Sequence, residues 1–277
     1  MSRARARVRP EAAADEYLPG ATPALLKALH LMTRDGALNA DARRKLKQVN
    51  HLLRLLKPAL DDILARHPEP VVIDCGAGKA YLGLLLAQLV IEPAQRGSVI
   101  GLESRKELVD RARVIAAEAK LPRAHLVLGS VEHALVPERV HLVTALHACD
   151  TATDDALALA LEVGADHVAL VPCCQAEVAR QLGEREGPRD ALVSILGAHA
   201  LHRRELGSHL TNVIRALVLE AHGYQVTVTE LTGWEHSLKN ELILGRRVHR
   251  ENAAARQRLD ALVAATGVEP KILRLLK

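Results

Sequence analysis

From residue 70 onward the chain alternates short apolar runs with segments of helical length, and few folds accept that pattern. "PVVIDC" (70–75) is an apolar run bounded by Pro and Gly, which reads as a strand buried on both faces. The helical stretch "KAYLGLLLAQLV" follows. Then come "SVIGLES" (strand), "RKELVDRARVIAAEAK" (helix), "AHLVLG" and "VHLVTALH" (strands), "ATDDALALALEV" (helix) and "DHVALVPCC" (strand). Strands separated by crossover helices pair in parallel, so the pattern predicts an α/β fold built from βαβ units. After "SHLTNVIRALVLEAHGY", a predicted helix closed by Gly223, two strands follow in succession, "YQVTVTEL" and "NELILGRRV".

The flanks differ from this centre. Residues 1–20 read as a basic arm, 21–67 as a helical extension, 68–250 as the α/β domain and 251–277 as a helix-rich tail. In the extension, Leu46, Val49, Leu53, Leu56 and Leu60 recur at helical spacing and form an apolar stripe. Arg44, Lys47, His51 and Arg54 fall on the opposite face. That face is either simply solvated or a surface that tracks phosphates, and it is expected to point away from the strand ends. Arg3, Arg5, Arg7 and Arg9 account for the whole formal excess of +4, since the chain has 37 basic and 33 acidic residues.

The arm has no apolar core of the secretory type, and Glu11, Asp15 and Glu16 follow it too soon for a transit peptide. Four cysteines without such a signal predict reduced thiols and a cytoplasmic protein. No apolar run is long enough for a membrane span. The 277 residues are 49% hydrophobic but only 1% aromatic, with no Phe. Leu, Val, Ile and Ala must fill the core, and Tyr17, Tyr81, Tyr224 and Trp234 are the whole supply of stacking platforms. Nothing in the sequence sets the oligomeric state.

"DCGAGKAYLG" joins the first strand of the domain to its first helix. Gly76 and Gly78 let the backbone approach a ligand closely, and amide groups at the helix start point into that space. Glu103 ends the next strand, where a carboxylate can accept hydrogen bonds from ribose hydroxyls. Lys79 lacks the spacing of a phosphate loop. Tyr81 stands where a nicotinamide-binding loop usually has its third glycine. S-adenosylmethionine (SAM), a nucleoside without a pyrophosphate, suits a D-x-G-x-G loop better.

The D-x-G-x-G loop, the acidic end of the second strand and the final strand pair resemble the class I SAM-dependent methyltransferases, over roughly residues 45 to 250. That resemblance implies a Rossmann-like sheet, parallel with an antiparallel hairpin at one edge. "LHACDTATD" (146–154), and "CC" after the following strand, are similar to a smaller branch. It contains eukaryotic tRNA ribose 2'-O-methyltransferases and related methyltransferase-like proteins. The branch has Lys before the His and Gly after the Cys, where this chain has Leu146 and Asp150. The resemblance implies that Asp74, Gly76 and Gly78 contact the methionine part of SAM. It also implies that Glu103 holds the ribose, that Ser130 and Val131 flank the adenine, and that His147 to Asp150 border the sulfonium and the acceptor.

In a doubly wound sheet, ligands bind outside the carboxyl ends of the strands. Cys75 ends the first strand, His147 and Cys149 the fourth, and Cys173 and Cys174 the fifth, so all four cysteines fall on one rim. They are packing thiols, nucleophiles or, with His147, metal ligands. Their spacing matches no zinc finger or ribbon, and no resident metal is expected. Asp150, His147 and Cys173 are the candidate catalytic residues. A carboxylate at position 150 could orient an acceptor or stabilise charge near the sulfonium, or merely cap the next helix. Asp154 is assigned to that helix terminus. "GWEHSLKNELIL" places Trp234, Lys239 and Asn240 in a loop able to cover the rim. With Arg44 and Lys47 they are the candidate substrate contacts. The basic arm and stripe favour RNA as the acceptor, while scarce aromatics count against stacked single strands. A small-molecule or protein methyltransferase, or a non-catalytic RNA-binding factor, would share the fold.

Overall fold

The computed structural model describes residues 18–146, 148, 150–172, 175–184, 191–231 and 241–277. Residues 1–17 of the basic arm therefore lie outside the described residues, as do His147, Cys149, Cys173, Cys174 and residues 232–240 with Trp234, Lys239 and Asn240.

Seven strands form one sheet: β1 Val71–Cys75, β2 Ser98–Glu103, β3 Ala124–Leu128, β4 Leu142–Ala145, β5 His167–Leu170, β6 Tyr224–Glu230 and β7 Glu241–Arg247. Their order is β3-β2-β1-β4-β5-β7-β6. The first five pair in parallel, with Ile73 opposite Ile100 on one side and Val143 on the other. Then β7 runs antiparallel between β5 and β6. This is the Rossmann-like class I methyltransferase sheet, edge hairpin included. Strand order reverses between β1 and β4, so the switch point lies above their carboxyl ends.

Helices cover both faces because β1, β4 and β5 are apolar on both. On one face lie α1 (Pro23–Ala28), α2 (Ala40–Arg66), α3 (Tyr81–Leu86, continued through a π turn at Ala87–Ile91) and α4 (Lys106–Glu118). Leu25, Leu46, Leu56, Leu85 and Val109 meet Val72 and Leu142 there. On the other face lie α5 (Ala152–Glu162), α6 (Glu177–Glu184), α8 (Ala200–Ala221), α9 (Ala253–Thr266) and α10 (Lys271–Leu275). They bury Leu157, Ile214, Val218 and Ile272 against Ile73 and Val143. A short helix, α7 (Ala191–Leu196), precedes α8.

The elements deviate from the sequence pattern for local reasons. Residues 22–66 are two helices rather than one: Gly36 turns at φ +83°, and the Asn39 side chain caps α2 by accepting from the Ala42 amide. The strand read over "DHVALVPCC" stops at Leu170, two residues before a proline that cannot donate to a ladder. Helix α8 begins at Ala200 rather than Ser208 and ends before Gly223, which takes φ +84°.

Helix α2 crosses the sheet from one end to the other. Near its start, Lys45 and Gln48 line a cavity with Leu146 and Leu231, which follow the carboxyl ends of β4 and β6. At its other end, His67 meets Asp166, just before β5. The stripe that begins with Arg44 and Lys47 thus starts at the end of α2 nearer the rim. The hydrophobic period of α2 shows which face is buried, but only its packing fixes which end meets the site.

Candidate cofactor and acceptor site

The glycine loop leaves β1 at Cys75, a fully buried thiol whose ionisation burial opposes. Gly76 takes φ +64° and Gly78 φ +59°, the left-handed region that glycine enters without cost. Asp74 is 2% exposed. Its carboxylate accepts from the Thr144 hydroxyl at 3.0 Å and from the Gly83 amide, so it ties β1 to β4 and to α3. Burial raises its pKa to about 6. A side chain so enclosed shapes the glycine loop from beneath.

Glu103, at the end of β2, faces that loop. Its Oε2 accepts from the Gly78 amide at 2.7 Å, and its Oε1 accepts from the Arg105 amide and guanidinium at 3.0 and 2.9 Å. Burial works against its ionisation, but these bonds outweigh it and hold the carboxyl below the ordinary range. The Glu103 side chain is 7% exposed and that of Arg105 is 59% exposed. Arg105 therefore has room to swing into solvent and yield the carboxylate to a pair of hydroxyls. After β3, Ser130 is exposed and shares a 3.2 Å hydrogen bond with His133, while Val131 is half-buried and opens a single 3₁₀ turn.

The loop after β4 lies over the glycine loop. A Cβ placed on Gly76 would stand 3.6 Å from both Cα and Cβ of Ala148, the residue between His147 and Cys149. Asp150 holds φ +51°, a conformation that Asp tolerates better than most side chains. Its Oδ1 accepts from the Ala176 amide at 3.1 Å, linking the loops after β4 and β5.

What anchors those loops is a residue that the sequence pattern hides. Arg215 on α8 is 1% exposed and donates to Asp154 at 2.7 Å, to Asn212 at 3.3 Å and to the Asp150 carbonyl at 2.8 Å. Asp154 therefore forms a buried ion pair inside the first turn of α5, in addition to the expected place at that terminus. Burial raises its pKa against the opposing pull of Arg215. Neighbouring groups complete the frame: Ser208 donates to Gln175 at 2.8 Å, and Asn212 donates to Glu241 at 2.9 Å. The sequence signal was there in "LTNVIRALVL", an Asn and an Arg inside an apolar helical run.

Among the described residues, one group brings His and carboxylate atoms within metal-binding reach: His67, His141 and Asp166. It lies at the opposite end of the sheet. Arg139 binds Asp166 through both oxygens at 2.9 and 3.0 Å, and His141 Nδ1 accepts from the Val71 amide at 2.9 Å. The Asp166 oxygens and His141 Nδ1 are thus committed within the fold, and His67 Nε2 lies 3.0 Å from Asp166.

Residues 44–181 match a family model described as a methyltransferase domain. The chain carries a methyltransferase domain. By that match it is a methyltransferase. No curated protein matches the sequence of this methyltransferase. Among solved structures, an SAH-bound Podospora anserina methyltransferase is 13% identical, covering 86% of this chain and 93% of that one, with a TM-score of 0.47. An rRNA methylase from Streptococcus thermophilus is 12% identical, covers 71% and 96%, and has a TM-score of 0.46. The SAM-bound magnesium protoporphyrin IX methyltransferase of Synechocystis PCC 6803 is 14% identical, covers 88% and 100%, and has a TM-score of 0.42. At this level of similarity nothing about the acceptor follows.

Proposed function

We propose that this methyltransferase transfers a methyl group to RNA. The observation that carries the proposal is the placing of α2. Its first turns carry exposed Arg44, Lys45 and Lys47, and Lys45 lines a cavity beside the ends of β4 and β6. Positive charge at that place attracts phosphates without reading sequence. The arginine arm adds four more charges in the same chain.

SAM supplies the methyl group as a carbon activated by its sulfonium. The residues present fit it: Gly76 and Gly78 leave backbone space, and Glu103 offers a carboxylate to the ribose once Arg105 moves aside. Ser130 and Val131 would flank the adenine. Transfer by in-line displacement needs positioning more than acid–base chemistry. Asp150 supports that reading, since its carboxylate joins the loops after β4 and β5 through the Ala176 amide. The resembled tRNA enzymes carry Gly here, which suits the same backbone and lacks the carboxylate. Asp150 would orient the acceptor; His147 and Cys173, on the same two loops, remain candidates beside it. Arg44 and Lys47 would hold phosphates, with Trp234, Lys239 and Asn240 as further acceptor contacts. The described helices include none long and apolar enough to cross a membrane.

Mass spectrometry of nucleosides from total RNA, with and without the protein, should show one methylated nucleoside that depends on it. No difference, with SAM bound, would redirect the search to small molecules. Asp150→Gly preserves the backbone conformation and should lower turnover at least tenfold with SAM affinity unchanged; full activity would make the carboxylate structural. Arg44→Ala with Lys47→Ala should flatten the slope of log K for RNA against log salt by roughly 0.7 to 0.9 for each phosphate no longer bound. An unaltered slope would leave that helix face merely solvated.

A further inference from the structure

Beside the rim, an apolar cavity of about 130 Å³ opens between α2 and the ends of β4 and β6. Val49 and Leu52 of α2 form one wall. Leu146, directly after β4, and Leu231, directly after β6, form the other. Tyr81, the first residue of the helix that follows the glycine loop, closes it on the cofactor side. Lys45 and Gln48 are the polar residues of the lining.

We propose that this cavity receives a single nucleobase of the RNA, turned out of its stack, so that the methyl acceptor is a base atom rather than a ribose hydroxyl. The proposal rests on the RNA reading above and goes further by naming the part of the RNA that is modified. Three observations support it. An apolar cavity of about 150 Å³ holds one benzene-sized ring, so this one suits a six-membered ring, with the remainder of a purine in its open mouth. A nucleotide is apolar at its ring face and anionic at its phosphate, and the cavity is apolar inside with Lys45 on its lining. Enzymes that modify a base extract it from the helix and hold it against aromatic and apolar side chains while a polar group reads its edge.

Aromatic residues are scarce in this chain, so their placement is informative. Tyr224 is buried at the start of β6, its hydroxyl donating to the Ala165 carbonyl at 2.7 Å. Tyr81 is half-buried in the wall of a cavity at the rim. It brings an aromatic ring to the lining, which also includes the amide side chain of Gln48.

The test uses the full chain with SAM and total RNA from cells lacking the protein, with methylated nucleosides identified by mass spectrometry. The expected product is a base-methylated nucleoside. Val49→Phe, which fills the cavity, should lower its formation tenfold or more while SAM affinity and the melting midpoint hold. Tyr81→Leu should do the same, and Tyr81→Phe should remain within about twofold of the wild type. A 2'-O-methylated product, or a base product indifferent to both Val49→Phe and Tyr81→Leu in folded protein, would overturn the cavity assignment and leave the RNA reading standing. If the wild type neither binds nor methylates RNA, both fail together.

Discussion

The two ends of the sheet are both crowded with ionisable side chains, yet they are organised in opposite ways. At the amino end, Asp166 is held by Arg139, Arg66 and His67, and Asp62 by Arg66 and His167. Burial opposes ionisation of Asp62, but hydrogen bonds from Arg66 and His167 hold its pKa at about 2. Each charge there has a partner on a different element, and the cluster clamps the last turn of α2 to β4 and β5. At the carboxyl end the carboxylates nearest the glycine loop and the loop after β4 have local partners or backbone amides, Glu103 with Gly78 and Arg105 and Asp150 with Ala176, above the buried Arg215–Asp154 pair. Left-handed residues recur at Gly76, Gly78, Ala80 and Asp150. A cluster of His and Asp therefore marks a fastening at one end, and a set of open turns with exchangeable partners marks the site at the other. The distinction lies in what the charges are already committed to.

Changes at the two ends should separate accordingly. The largest effect is expected at Arg215, which ties the rim loops to the core through a fully buried ion pair. Arg215→Ala leaves Asp154 buried and uncompensated, and should cost about 3–5 kcal/mol in urea denaturation. A loss below about 1 kcal/mol would mean that the rim is held by other contacts. Next in size, Gly78→Val forces a β-branched residue to φ +59° beside Glu103. It should weaken SAM about tenfold by calorimetry, or about 1.4 kcal/mol. Equal affinity in folded protein would remove the glycine loop from the cofactor site.

The smallest effect is expected at the amino end, and it depends on pH. Burial and the nearby charges of His67, Arg139 and Arg66 lower the pKa of His141 to about 4, against the pull of Asp166. Its Nδ1 must stay unprotonated to accept from Val71. An ordinary histidine titrates near 6.5. As pH falls from about 6.5 towards 4, the unfolded chain takes up a proton that the folded one refuses, so stability is lost across that window. Wild-type protein should melt lower at pH 5 than at pH 7, and His141→Gln should reduce the difference without altering SAM affinity. A pH response identical in the two proteins would show that His141 is not the group that titrates. A change in SAM affinity would break the separation of the two ends.

Much of this was legible in the sequence. The periods of 2 and 3.6 in the apolar residues specify strands and helices, their alternation specifies parallel pairing, and glycines after a strand ending in Asp specify a turn open to a ligand. These signals are local, because each arises from a few adjacent residues. The sequence therefore determined the strand and helix alternation and the D-x-G-x-G loop with Glu103 as its partner, while the resemblance implied the edge hairpin. Only the tertiary structure decided which residues meet across long separations. It set Ala148 over Gly76, buried Arg215 against Asp154, brought the start of α2 to the rim, and joined Tyr81 to Leu146 and Leu231 around one cavity. No sequence period encodes those meetings, since they depend on how helices far apart in the chain settle on a shared sheet and which polar groups are then left to satisfy one another.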